Sequence, residues 1–409
     1  MPRQNGTGAL LTGAATHGES ATAYDVVRAL LAELDRDDYD GPSETAVRLL
    51  RRYREEERDW IVRTLPHEAE YHGVVSLLEG TIGALADRAD VPDDVRRMFV
   101  ALASRQRHVA AAREKCIDEL LAAFAAAGIP VILLKGAALA HRIYTSPALR
   151  PMVDIDVLVR HVDIERAVRA ASTLGYSFAS GYGSRFAGRV HHLPIATKEQ
   201  SGFYIPLEIH LDAMSRDVRD SLTYGTVTAA PIPFRRGAGP QGLALGHADM
   251  LRHLTRHAFL PSRRVRLIHL YDLWRYQAVF RDEIDWRALA ARFPGVMNTL
   301  RLIGYVFPGP VSAYHTLDRV AIPPGVGQGM VALSEIAATK DGFFAKLSEL
   351  FNPPAWWMHG FYGIAPGQSL LFCRIVRHPL TVGRWLAMRA ASAVGISRPH
   401  RIVGIVGEA

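Results

Sequence analysis

The chain has 409 residues, 49% of them hydrophobic and 22% charged, a balance that suits a globular protein of two or three domains and excludes a disordered or fibrous one. A formal charge of +7 and an isoelectric point near 9.5 favour anionic partners such as nucleotides, nucleic acid or acidic membrane surfaces. Only Cys116 and Cys373 are present, which excludes a disulfide framework or cysteine-based metal site, and no apolar run reaches the ~18 residues of a membrane span, so a cytoplasmic protein without a transmembrane segment is expected.

Residues 1–20, rich in Gly, Ala and Thr, read as a flexible tail. From 21 to 127 helical periodicity dominates, in DVVRALLAEL, ETAVRLLRRYREEERDWIV, VVSLLEGTIGALAD and a long segment that begins after Pro92. A strand-bearing core is expected from 128 to 235. It opens on Val131-Ile132-Leu133-Leu134, a short apolar run bounded by Gly128 and Gly136 that suits a buried strand. Lys135-Gly136 ends that run, and Ala137-Ala138-Leu139-Ala140 favours a helix. The backbone N–H groups at and after Gly136 would then open a helix N-terminus, where phosphate binds.

Lysine occurs only at 115, 135, 198, 340 and 346, and one of these few adjoins that turn, where Lys135 can meet a phosphate as a point charge. Arg150 has three readings: it stabilises charge on a phosphate, pairs with Asp154, or lies on the surface. In the strand expected over 152–159, a period of two puts Asp154 and Asp156 on one face and Val153, Ile155 and Val157 on the other. Two carboxylates on one strand face repel unless a cation lies between them, and hard oxygen ligands suit Mg²⁺ (or Mn²⁺) with a triphosphate as co-ligand.

A helix from Ile164 to Leu174 leads to a second strand, 204–211, whose alternation turns Leu207, Ile209 and Leu211 inward and sets Glu208 and His210 together on the opposite face. A neighbouring strand would bring Glu208 beside Asp154 and Asp156, with Glu165 and Asp212 as competing acids. Histidines at 191, 192, 210, 247, 253, 257 and 269 raise a zinc site as a rival, but no glutamate follows His253 directly, so the metalloprotease pattern is absent. PIPFRRGAGPQG, between Pro231 and Gly242, reads as a link between units. From 236 to 409 the chain reads as helical, with breaks at Pro323-Pro324 and Pro353-Pro354. Leu370 to Ala393 favours a packed amphipathic helix pair with a solvated basic face over contact with an anionic membrane or a partner.

The order of Lys-Gly turn, helix, Asp-x-Asp strand and later single-acid strand resembles the DNA polymerase β-type nucleotidyltransferase superfamily. LLKGAALA, LRPMVDIDVLV and LEIH resemble more closely the bacterial group called uncharacterised nucleotidyltransferase family 5, with further similarity in EYHGVVSLLEG, AAFAAAGIP, HADMLRHLTRH and LIHLYDLW. The resemblance implies transfer of a nucleoside monophosphate from an NTP, such as ATP, to an acceptor, with pyrophosphate leaving and two divalent ions in the site. It implies that Asp154 and Asp156 hold the metals, that Glu208 completes the shell, and that Gly136 cradles the terminal phosphates. Ala137 stands where the superfamily usually has serine or glycine.

The fold expected is therefore α+β, a small mixed sheet flanked by N- and C-terminal helical regions. The acceptor is a small molecule, a peptide or protein side chain, or an RNA end. Two alternatives stand beside the enzyme: a catalytically inactive nucleotide-binding or scaffold protein of the same fold, and a toxin-like nucleotidyltransferase that modifies tRNA.

Overall fold

A computed structural model describes residues 23–31, 34, 47, 50–51, 59–85, 88–89, 91–178, 191–214, 221–237, 239–259, 265–304, 306–307 and 350–393. The expected tail, most of the helix expected before Asp59, and the break at Pro323-Pro324 lie outside the described residues.

The helices α1 (Ala23–Leu31), α2 (Asp59–His72), α3 (Val75–Leu85) and α4 (Asp93–Ala126) precede the sheet. The last has 34 residues and begins after Pro92 with Asp93 and Asp94 in its first turn, where negative charge complements the exposed N–H groups. It ends at Gly128, whose φ of +63° is open to glycine, while Ile129 N donates to the Phe124 carbonyl at 2.8 Å and closes the last turn. Its inner stripe of Val95, Phe99, Cys116, Ile117, Leu120 and Phe124 packs on α2, α3 and the sheet.

Then come β1 (Val131–Leu133), α5 (Lys135–Arg142), β2 (Ile155–Val159), α6 (Ile164–Thr173), β3 (Ser177–Phe178), β4 (Ala196–Gln200), β5 (Phe203–His210), β6 (Ile232–Phe234) and β7 (Gly242–Ala244). They form one mixed seven-stranded sheet in the order β3-β4-β5-β2-β1-β7-β6, and the chain is α+β as expected. β2 runs parallel to β5 and antiparallel to β1, and every one of its residues is buried. Parallel pairing at the centre of a sheet covered on both faces favours such a Val/Ile/Leu-rich strand.

Two sequence expectations change here. Val153 lies before β2 rather than in it and is 61% exposed, so it does not join Ile155 and Val157 on the buried face of the strand. PIPFRRGAGPQG is not a bare link: it supplies β6 and the start of β7, and Leu133 pairs with Ala244, so the sheet runs past residue 235. Pro233 is tolerated because β6 is an edge strand, where a missing N–H costs no ladder bond.

After the sheet in the chain come α7 (His247–Ala258), α8 (Leu267–Val279), α9 (Trp286–Arg292), α10 (Pro294–Ile303), α11 (Ala355–Tyr362) and α12 (His378–Ala393), the last preceded by a π-helical turn at Cys373–Arg377. Tyr271, Tyr276, Phe259, Trp356 and Trp357 fill the core between them. No helix among the described residues is long and apolar enough to cross a membrane. The expected packed pair at 370–393 is corrected: Cys373, His378 and Val382 face inward, but Leu371, Phe372, Ile375, Val376 and Leu380 are exposed.

Candidate active site

The turn after β1 is fastened to β2 by its backbone, since Leu134 N donates to the Asp156 carbonyl at 3.0 Å. The next residue, Lys135, has a φ of +43°, a left-handed conformation that costs a non-glycine residue about 1 kcal/mol. That conformation accompanies a buried ion pair, Lys135 Nζ to Asp156 Oδ1 at 2.6 Å. No side chain caps α5, so its first-turn N–H groups have no side-chain acceptor from the cap residue Leu134.

The parallel register of β2 and β5 sets Asp156 opposite Glu208 and Leu158 opposite His210. Glu208 and His210 share one face of β5, both buried, while Leu207 and Ile209 take the other. His210 Nε2 lies 2.7 Å from Asp156 Oδ1 and 3.3 Å from Glu208 Oε2, so its proton faces both carboxylates. Asp156, Glu208 and His210 bring ligand atoms within 4.8 Å of one another. Asp154, in the bend before β2, stands outside that group and is partly exposed.

The electrostatics follow from crowding. Burial and then the neighbouring Asp156 push the Asp154 carboxyl up to about 7, against the pull of Lys135. Burial acts on Asp156 in the same sense, but Lys135 and His210 outweigh it and hold Asp156 well below the usual carboxylate range. For Lys135 and His210 burial alone would lower the pKa; Asp156 heads the carboxylates that raise both above their ordinary values. Glu208 is held low, its burial overcome chiefly by His210. Three carboxylates thus face one ammonium and one imidazole.

Other expected residues take different positions. Arg150 is neither on the surface nor paired with Asp154. It is buried, and its Nε and Nη2 grip Asp272 at 2.9 and 2.6 Å, while Tyr144 Oη donates to the same carboxylate at 2.7 Å. Gly136 and Ala137 are buried in α5, and a Cβ on Gly136 would meet Met152 Cβ at 3.0 Å and Arg150 Nη1 at 3.3 Å. The glycine lets the helix approach the loop that carries Asp154. Of the competing acids, Glu165 is exposed on α6, and Asp212 accepts Met214 N, Leu222 N and Ser221 Oγ at 2.8, 2.8 and 2.6 Å as a turn former.

Sequence reasoning missed Arg113 and weighed His253 only for a zinc site. Arg113 projects from α4 beneath the Asp154 bend: its Nη2 approaches the Val153 carbonyl at 3.5 Å, while Nε and Nη1 are buried without a partner. Burial lowers its pKa to about 10, with Asp154 opposing the shift. The available signal was an arginine on the apolar stripe of a long helix, one turn from Cys116 and Ile117. His253 of α7 is buried, its Nε2 has no partner, and it is pushed down to about 3 by burial and then by Lys135. His191 and His192 close the same end of β5, with ring centroids 5.7 and 5.4 Å from His210.

These donors fit a divalent cation. Two carboxylates and an imidazole converge, and a third carboxylate beside them is raised first by burial and then by the charge of Asp156, both of which a hard cation offsets. Oxygen donors suit Mg²⁺, and the imidazole accommodates Mn²⁺ as well.

Among solved structures, a solution structure of the antibiotic-resistance factor ANT(2'')-Ia is similar to part of the chain, 13% identical with a TM-score of 0.33 over 47% of this chain and 96% of that one. A crystal structure of ANT(2'')-Ia in complex with adenylyl-2''-tobramycin, 14% identical with a TM-score of 0.32, covers 44% and 97%. No curated protein matches the chain. The profile of a family described as uncharacterised nucleotidyltransferase matches residues 57–298, more than half of the sequence, and spans every residue of the site above. The chain therefore belongs to this nucleotidyltransferase family.

Proposed function

We propose that the protein transfers a nucleoside monophosphate from an NTP to an acceptor nucleophile and releases pyrophosphate, using divalent cations. The observation that carries this reading is the parallel register that sets Asp156 against Glu208 with His210 Nε2 between them.

Asp154, Asp156 and Glu208 would hold Mg²⁺ or Mn²⁺, with His210 as an additional donor once its Nε2 proton is released, and the ions would supply positive charge for the triphosphate and for the departing pyrophosphate. The remaining work belongs to the chain. Lys135, kept charged by Asp156, stands at the uncapped start of α5, where its ammonium and the first-turn N–H groups present positive charge to the same phosphates. Glu208, held ionised beside His210, accepts the acceptor's proton. Arg150 acts at one remove: its bonds to Asp272 and to the Pro151 carbonyl fix the loop leading to Asp154. The catalytic unit on this reading is a core from 128 to the end of β7, between N- and C-terminal helical regions.

Incubating the protein with each α-phosphate-labelled NTP and Mg²⁺ or Mn²⁺, with and without cell extract, tests the proposal. Label should pass to protein, RNA or a small molecule, which assigns the acceptor class, and the Asp154→Ala/Asp156→Ala double variant should transfer none. Transfer unchanged in a folded double variant would refute the assignment, and no transfer from any NTP would favour a nucleotide-binding protein without turnover.

A further inference from the structure

Six of the fourteen large apolar side chains exposed among the described residues fall between Phe351 and Leu380. Four of them, Leu371, Phe372, Ile375 and Leu380, are 66, 69, 65 and 57% exposed, and Val376 lies among them. The segment is not loosely attached: Cys373, His378 and Val382 are buried, His378 Nε2 bonds the Leu350 carbonyl at 2.8 Å, and Tyr362 Oη meets His378 Nδ1 at 2.8 Å. One apolar side therefore anchors the helix while a second faces outward, the reverse of the polar outer face that a surface helix ordinarily shows.

Charge identifies what the outer face suits. From residue 350 to 407 the sequence holds six arginines and no Asp or Glu. Arg377 and Arg384 are exposed beside the apolar side chains, Arg377 over the Tyr362 ring at 4.7 Å, and Arg374 is tied to Asn352 and Pro353 at the edge of the patch. Bulky apolar groups with exposed arginines beside them, in a stretch of sequence without acids, match the interface of an anionic bilayer: acyl chains take the side chains and phosphate headgroups take the guanidiniums.

We propose that the face formed by Leu371, Phe372, Ile375, Val376 and Leu380 with Arg377 and Arg384 docks the protein peripherally on anionic phospholipid. It is independent of the transfer reaction, because none of these residues belongs to the acidic site.

Co-sedimentation of the full-length protein with unilamellar vesicles tests it. Binding should occur with phosphatidylcholine–phosphatidylglycerol vesicles, be slight with phosphatidylcholine alone, and weaken as salt rises. Arg377→Ala with Arg384→Ala should weaken binding to the mixed vesicles about thirtyfold at low salt, from the usual contribution of a basic side chain at such a surface. Phe372→Asp with Ile375→Asp should abolish it, with the circular dichroism spectrum unchanged. Equal binding by these variants, or by neutral vesicles, would overturn the proposal. So would absence of vesicle binding together with a dimer in light scattering that Phe372→Asp/Ile375→Asp dissociates, since a second copy would then be the occupant.

Discussion

Around Asp272 the buried charges are matched: one carboxylate receives Arg150 through two nitrogens and the Tyr144 hydroxyl, and nothing in that set reaches solvent. Around Asp156 they are not, because Asp154, Asp156 and Glu208 share Lys135 and His210. The matched set is closed and holds the Asp154 loop in place. The unmatched set keeps one carboxyl up at about 7 and has capacity for added positive charge, which is where chemistry is expected.

If that contrast is right, the two sets should fail differently. Asp154→Asn should lower nucleotidyl transfer on the order of 10²–10⁴-fold with little loss of thermal stability, because burial and the neighbouring Asp156 already disfavour its charge, as measured by label transfer and melting. Arg150→Met should do the opposite in kind: it leaves the Asp272 carboxylate buried without its cation and should cost about 3–5 kcal/mol in denaturant unfolding. Adding Asp272→Leu should recover much of that, and no recovery would contradict the closed-pair reading. Gly136→Ala, which presses a methyl on Met152 and Arg150, should cost about 1–3 kcal/mol and lower the melting temperature accordingly.

The smallest effect concerns pH. His253 has a folded pKa of about 3, below its unfolded value, so the folded state resists the proton that the unfolded state accepts. The neutral imidazole's contribution is fully present above the unfolded pKa and is lost as pH falls from there toward 3, at about 1.4 kcal/mol per pH unit. Melting curves across that window should be less acid-sensitive in His253→Leu. Equal slopes would remove His253 from the account.

How much of this was legible in the sequence depends on range. Period two along β2 and β5 announced Asp156, Glu208 and His210 as residues of a common face, because strand geometry is local. The Lys-Gly turn was equally local, although Gly136 serves close packing against Met152 rather than an open cradle alone. Arg150 and Asp272 are 122 residues apart, and Asp272 sits inside LIHLYDLW, where only the apolar pattern is visible. Arg113 and Val153 are 40 apart, and nothing local marks them as neighbours. In the C-terminal segment the pattern disclosed apolar positions without telling which would be covered, and β6 and β7 were too short, at three residues each, to outweigh their Pro and Gly.

The central claim is that the acids on β2 and β5 hold a divalent cation, and Mn²⁺ titration followed by electron paramagnetic resonance tests it without any acceptor. Wild-type protein should deplete the free Mn²⁺ signal saturably, Mg²⁺ should restore it, and Asp154→Asn/Asp156→Asn should bind none while keeping its circular dichroism spectrum. Equal Mn²⁺ uptake by the wild type and the folded double variant would contradict the claim.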